Sequence, residues 1–355
     1  MSFKVRLVPS GREFVVEREE SILDAALRQG VALPYGCRSG SCGTCACRLV
    51  SGRVDYPECP PLGLTDREIA EGYVLACRAH PEDDIVVEAQ ELTGLGDVVI
   101  KTLPARVVKM EKLNHDTMRV WLKLPAVERL QFLAGQYIDI LLRDGGGRRS
   151  FSLANAPHRD ELLELHIRHI PGGEFTTKVF AEMREKALVR LQGPLGSFYL
   201  RENSERPVIL VGGGTGFAPL KAMLEHAFHI GLRRPVHLYW GVRQSRDFYL
   251  QALPEQWARE HGNVTFTPVL SEPDAGWQGR RGWVHETVIE DHADLAAHDV
   301  YMAGPPPMIA AAKAAFLAAG LPYEQLFFDS FDFAPEVQAK LDALADEHRH
   351  LTGER

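Results

Sequence analysis

The sequence predicts a multidomain chain: a small α+β unit, then an antiparallel β-barrel with one helix, then a parallel α/β sheet. Three observations lead there. The 355 residues suffice for two or three domains. Five of the six cysteines crowd between residues 37 and 59, inside the first block. The hydrophobic pattern changes from short period-two runs to strand–helix alternation at about residue 205. Apolar residues make up 45% and charged residues 25%, a globular balance that sets aside fibrous and disordered readings. Forty basic against 48 acidic residues give a net charge of −8, which argues against a nucleic-acid partner. No run of 18 apolar residues and no apolar signal core occur, so neither a membrane span nor export is expected and the location is read as cytoplasmic.

In the first block, Phe3–Leu7 and Glu13–Glu17 alternate in period two around Pro9-Ser-Gly, which predicts a hairpin. Ser21-Ile-Leu-Asp24 and Thr65-Asp-Arg-Glu68 read as capping boxes, the first opening a short helix that runs to Gly30. Strands are expected at Tyr73–Ala76 and Ile85–Glu88. The second block should carry strands at Ala105–Met110, Met118–Leu124, Tyr137–Leu142 and Leu162–Arg168, with a helix over Thr176–Lys186. The third should alternate strands (Val208–Val211, Val236–Trp240, Val264–Leu270, Asp299–Met302) with helices at Phe217–Ile230 and Pro306–Ala319. Residues 334–355, with Val337, Leu341 and Leu344 at helical spacing, predict an amphipathic tail helix. The expected boundaries are 1–92, 102–203, 205–333 and 334–355, with a linker in Gln90–Lys101.

The cysteines repeat as Cys37-x4-Cys42-x2-Cys45, with Cys77 following after a gap of 31 residues. This is the plant-type [2Fe–2S] spacing. Gly36, Gly40 and Gly43 let the backbone curl so that N–H groups can point at sulfur, which a cluster of net charge −2 requires. A structural zinc on Cys42, Cys45, Cys47 and one further ligand is the competing reading. Cys47 and Cys59 fall outside the pattern and read as non-ligands.

In the second block, Arg149-Ser-Phe-Ser152 offers a cation for phosphate, an aromatic for stacking on a flat ring and a hydroxyl for a ring nitrogen. Gly172-Gly-Glu-Phe-Thr-Thr177 opens a helix whose N-terminus suits a pyrophosphate. In the third, Val208–Val211 runs into Gly212-Gly-Gly-Thr-Gly216 and a helix carrying Pro219 in its first turn, again a pyrophosphate turn.

These motifs together carry a resemblance. Residues 1–90, with Cys-Arg-Ser-Gly-Ser-Cys-Gly-Thr-Cys at 37–45, resemble a plant-type ferredoxin, which implies a β-grasp fold with Cys37, Cys42, Cys45 and Cys77 as ligands. Residues from 102 onward resemble the ferredoxin–NADP reductase superfamily, whose flavin motif R-x-Y-S is met by Arg149, Phe151 (in place of Tyr) and Ser152. The resemblance implies that the flavin is FAD, held also by the segment containing His166 and Arg168 and by Gly173–Thr176. It implies that Gly212, Gly213, Gly214, Thr215 and Gly216 hold a nicotinamide dinucleotide, aided by Gly241 and Arg243 after one strand and by Gly304 and Pro305 after another. Ala303 stands where relatives usually have Cys. Asp329 and Phe331 match the residues that relatives place behind the flavin, so Ser152, Asp329 and Phe331 are the catalytic candidates.

As a whole the chain resembles the reductase components of phenol hydroxylase, benzoate dioxygenase and methane monooxygenase, and most of all the CDP-6-deoxy-delta-3,4-glucoseen reductases. The implied activity is an NAD(P)H-dependent oxidoreductase that passes electrons from NADH to FAD to [2Fe–2S] to a separate acceptor, an oxygenase component or a deoxysugar dehydrase. A monomer is expected. NADPH is the other candidate donor: Arg243 and Arg246 suit a 2′-phosphate, Asp247 a ribose hydroxyl. Two other readings stand beside this one, a stand-alone flavin or quinone reductase and a zinc-stabilised binding module without redox chemistry.

Overall fold

The computed structural model describes residues 2–58, 60–92, 98–142, 147–332 and 337. Cys59, the glycine pair of the expected linker and, apart from Val337, the expected tail helix lie outside the described residues.

Three large sheets follow one another along the chain, with a small two-stranded pair, Val54–Asp55 and His80–Pro81, beside the first in sequence. The first has five strands in the order Glu13–Glu17, Ser2–Val8, Ile85–Glu88, Ala46–Ser51 and Tyr73–Leu75. Its hairpin is the expected one, with Val5 opposite Phe14. Alternation turns Val5, Leu7, Phe14 and Val16 inward, where they meet Ile22, Leu23, Ala25 and Ala26 of the helix Ile22–Arg28. The two expected capping boxes differ in outcome. Thr65 and Glu68 satisfy each other's backbone N–H groups in full. Ser21 Oγ accepts from Asp24 N–H, but Asp24 is too short to reach back and takes the Ser21 hydroxyl at 2.9 Å instead.

The second sheet is antiparallel, in the order Arg148–Ser152, Tyr137–Leu141, Leu188–Leu195, Lys101–Lys112, Thr117–Lys123 and Leu163–Arg168. Its outer strands meet at a single bridge, Leu153 to Leu165, so the expected barrel is a strongly curled sheet with no closing ladder among the described residues. Leu188–Leu195 escaped the sequence reading because Gly193-Pro194 looks like a strand breaker; these residues end the strand. The helix is Glu174–Ala181, not Thr176–Lys186: it starts at the Gly173 cap, and Lys186 adopts φ 74°, which no helix tolerates.

The third sheet is parallel, in the order Arg280–Arg281, Val264–Leu270, Val236–Val242, Val208–Gly213, Asp299–Gly304 and Leu326–Ser330. Apolar cores cover both faces, as the near-continuous apolar strands require. Helices Ala252–Glu260 and Val284–Asp291 were not expected; each buries only two or three residues, too few for a legible stripe.

The glycine turn is set by close packing. A Cβ on Gly216 would collide with the Ala303 carbonyl oxygen, and one on Gly213 would meet the Met308 sulfur. Replacing Gly216 with Ala should therefore destabilise the protein by ~1–3 kcal/mol, read as a lowered Tm.

Candidate active site at the junction of three sheets

The cysteine loop leaves the helix Ile22–Arg28 and returns to regular structure at Ala46. Gly40 and Gly43 take φ 85° and 78°, the left-handed turns that curl it. Ser39 N–H points at Cys37 Sγ at 3.4 Å, and Ser41 Oγ lies 3.6 Å from the same sulfur. The thiols meet in two pairs, Cys37 with Cys42 and Cys45 with Cys77. Two sulfur pairs, three of the four thiols on a glycine-lined loop, fit a two-iron cluster that Cys37, Cys42, Cys45 and Cys77 would hold. Burial pushes the Cys47 thiol up to about 12 and keeps it neutral.

The loop is docked onto the second sheet. Tyr137 Oη donates to the Gly36 carbonyl at 2.8 Å. Ser197 Oγ accepts from Tyr35 N–H at 2.9 Å, and Ser197 N–H donates to the Tyr35 carbonyl at 2.9 Å. Tyr137 and Leu195 belong to the same apolar core as the cysteine sheet. Just past the last strand of the third sheet, Asp332 accepts from Ser41 Oγ at 2.7 Å and from Ser39 Oγ.

A cavity of about 960 Å³ opens where the three sheets meet. Cys37 borders it together with Arg149, Phe151, Ser152, His166, Arg168, Gly173 and Thr176 of the second sheet. Gly213, Thr215, Pro305, Asp329 and Phe331 of the third sheet complete the predicted residues in its wall. Cys42, Cys45, Cys77, Gly212, Gly214, Gly216 and Gly304 do not line the cavity. Gly212 and Gly304 end or nearly end parallel strands, and Gly214 and Gly216 lie in the turn after the first of these. Gly241 and Arg243 lie at another strand end: a Cβ on Gly241 would sit 2.8 Å from Val284 Cβ, and Arg243 Nε lies 3.5 Å from Asp247 Oδ2.

Ser152 is buried and its hydroxyl donates to Asp329 Oδ2 at 3.3 Å. Burial, helped by nearby Asp332, raises the Asp329 carboxyl from 3.8 to about 7. The Phe151 ring tilts against Phe175 at 5.6 Å. Gly173 caps its helix without a side-chain bond, and a Cβ there would lie 2.9 Å from Thr176 Oγ1. Arg168 Nε donates to Asp116 Oδ2 at 2.7 Å. Both ring nitrogens of His166 are engaged by protein, Nε2 with Glu164 at 2.8 Å and Nδ1 with Tyr249 at 3.1 Å. The sequence reading missed Tyr35, Tyr137, Ser197 and Asp332: a Tyr in an apolar strand looks like core, and its bond to a distant carbonyl leaves no local signal.

A cation, aromatic rings, a buried hydroxyl and an uncapped helix start, facing one another across a cavity this size, fit a flavin ring joined to a diphosphate. With the cluster loop and the glycine turn of a parallel sheet, they define an iron–sulfur flavoprotein that exchanges electrons with a nicotinamide dinucleotide.

Comparison with known proteins agrees. Residues 5–82 match the 2Fe-2S iron-sulfur cluster binding domain, 104–199 the oxidoreductase FAD-binding domain and 210–314 the oxidoreductase NAD-binding domain. A CDP-6-deoxy-L-threo-D-glycero-4-hexulose-3-dehydrase reductase of Yersinia pestis is 38% identical over 331 residues, 93% of this chain and 99% of the relative. A phenol 2-monooxygenase reductase component of Pseudomonas sp. is 35% identical over 338 residues, 93% and 95% of the two chains. The crystal structure of the Amycolatopsis cytochrome P450 reductase GcoB superposes with a TM-score of 0.77 at 35% identity, covering 93% of this chain and 98% of that one. The chain belongs to this family of iron–sulfur flavoprotein reductases. It is an NAD(P)H-dependent oxidoreductase that carries electrons through FAD and a [2Fe–2S] cluster. No helix among the described residues is long and apolar enough to cross a membrane.

The raised Asp329 carboxyl has a consequence for stability. Folded protein keeps a proton there that the unfolded chain releases, so this group's stabilising contribution is full below pH 3.8 and is lost as pH rises to about 7. Asp329→Asn should flatten the fall in stability across that window, by on the order of 4 kcal/mol at most; chemical denaturation at a series of pH values measures it.

Proposed function

We propose that this chain is the reductase component that supplies single electrons to a separate acceptor protein, either an oxygenase component or a deoxysugar dehydrase. One observation carries the reading: Cys37 of the cluster loop borders the same cavity as Ser152 and Arg149 of the flavin motif. An exit through the cluster is thus built into the flavin site. A stand-alone flavin reductase has no use for that arrangement.

In this reading Cys37, Cys42, Cys45 and Cys77 bind the cluster. Arg149 takes phosphate, Phe151 and Phe331 flank the flavin ring, and the helix start at Gly173–Thr176 takes the pyrophosphate. His166 and Arg168 act from the wall; with both ring nitrogens of His166 bonded to protein, its contact falls to backbone or ring face. Gly212–Gly216, Gly304 and Pro305 shape the nicotinamide side, and Gly241 and Arg243 the adenosine side. When bound, FAD accepts two electrons as a hydride from NADH and releases them singly. Ser152 orients the reacting edge of the flavin, and Asp329 holds or releases a proton beside it at neutral pH. The working boundaries are 1–92, 102–203 and 205–333 followed by the tail, with a monomer in the cytoplasm.

NADH is favoured over NADPH by the buried Asp247 carboxylate, which accepts from Gln244 N–H at 3.2 Å and faces Arg243. A 2′-phosphate there would meet a buried negative charge. The expected kcat/KM ratio is at least about tenfold for NADH, ~1.4 kcal/mol; a preference for NADPH would reverse the assignment.

Residues 1–95 hold 10 basic and 15 acidic side chains, and the cluster adds negative charge. The acceptor should present a basic face, and transfer to it should slow as salt rises. The test of the route is Cys77→Ser. It should abolish cluster absorbance and cytochrome c reduction while NADH-driven ferricyanide reduction through the flavin persists. Undiminished cytochrome c reduction without the cluster would refute it.

A further inference from the structure

A buried group of charged side chains lies between the flavin and nucleotide sheets, and the electron route does not use it. Glu164 belongs to the flavin strand Leu163–Arg168; Lys221 belongs to the helix Phe217–His229 that follows the glycine turn. They are 4% and 2% exposed. Lys221 Nζ donates to the Ala154 carbonyl at 2.8 Å and pairs with Glu164 Oε2 at 3.2 Å and Glu225 Oε1 at 2.9 Å. Ala154 stands two residues beyond Ser152. The cation of the nucleotide helix therefore grips the segment that directly follows the flavin-motif strand Arg148–Ser152.

The second Glu164 oxygen accepts from Arg119 Nε at 2.8 Å and from His166 Nε2 at 2.8 Å. With its Nε2–H committed to that carboxylate, a neutral His166 accepts at Nδ1 from Tyr249 Oη, 3.1 Å away. Tyr249 lies in the nucleotide part of the chain, so this is a second bond across the junction. The Tyr249 ring packs edge-on against Trp240 at 5.0 Å, and Trp240 Nε1 donates to the Gly214 carbonyl at 2.9 Å. The path closes on itself: glycine turn, Trp240, Tyr249, His166, Glu164, Lys221, and back along the helix to the turn.

We propose that Lys221 is a positioning residue for hydride transfer. With Glu164 and the Tyr249–His166 bond, it fixes the register of the glycine turn against the flavin strand, and so the distance at which the nicotinamide meets the flavin. An apolar contact would hold the two sheets together equally well. Bonds to particular oxygen atoms differ in that they forbid sliding, and a misplacement of 1 Å can cost about 10²-fold in rate.

The test is anaerobic stopped-flow reduction of the holoenzyme flavin by NADH. Lys221→Met should slow the reduction step ~10- to 100-fold, with the Kd for NADH changed by less than about threefold and reduction of the flavin by dithionite unchanged. Amide hydrogen exchange of the cofactor-free protein is the second readout. Exchange should quicken both at residues 152–156 and at 212–220, on the two sides of the junction. Loosening confined to the helix Phe217–His229, or a reduction rate within about twofold of the parent, would overturn the proposal and leave Lys221 a local packing group. Should Lys221→Met fail to accumulate as holoenzyme, because Glu164 loses a buried partner, the same measurements are made on Tyr249→Phe. That variant removes one bond across the junction and no charge, and the same two outcomes decide.

Discussion

The docking of the cysteine loop onto the flavin sheet is the constraint on which the rest of the molecule depends. Electrons that arrive in pairs must leave singly, so a cluster has to lie beside the flavin and away from water. The structure meets this with Ser197 and Tyr137, which pair with backbone groups of Tyr35 and Gly36. Because the partners are backbone atoms next to Cys37, the loop cannot shift without leaving buried donors and acceptors unsatisfied, at about 1–3 kcal/mol each. The apolar core follows suit, since Tyr137 and Leu195 pack with the strands of the cysteine sheet.

Two buried carboxyls near the flavin strand show how partners decide chemistry. Asp329 is largely buried in the cavity wall, with one hydroxyl donor and a neighbouring acid, and burial lifts it to about 7. Glu164 pays the same cost of burial, but bonds and charges from His166, Lys221 and Arg119 outweigh it and hold it at about 2. One group is placed to exchange a proton at neutral pH; the other is a permanent anion. The first suits a reacting site and the second a joint between sheets.

Much of this was legible in the chain. Period-two alternation located the hairpin, and the glycine turn between an apolar strand and Pro219 located the first strand and helix of the third sheet, because steric rules act over a few residues. The cysteine spacing pointed to the cluster because it is the plant-type pattern. Less legible were Leu188–Leu195, masked by Gly193-Pro194, and the short helices with few buried residues.

The sequence by itself determined the three kinds of cofactor-binding domain, each signalled by a candidate site of neighbouring residues. Only the tertiary structure decided how those sites face one another. Tyr137 reaches a carbonyl 101 positions away, Lys221 a carboxylate 57 positions away and Ser152 a carboxyl 177 positions away. A hydroxyl or ammonium carries no mark of which distant partner it will meet. That pairing is settled by the packing of three sheets, whose contacts are apolar and read alike in any order.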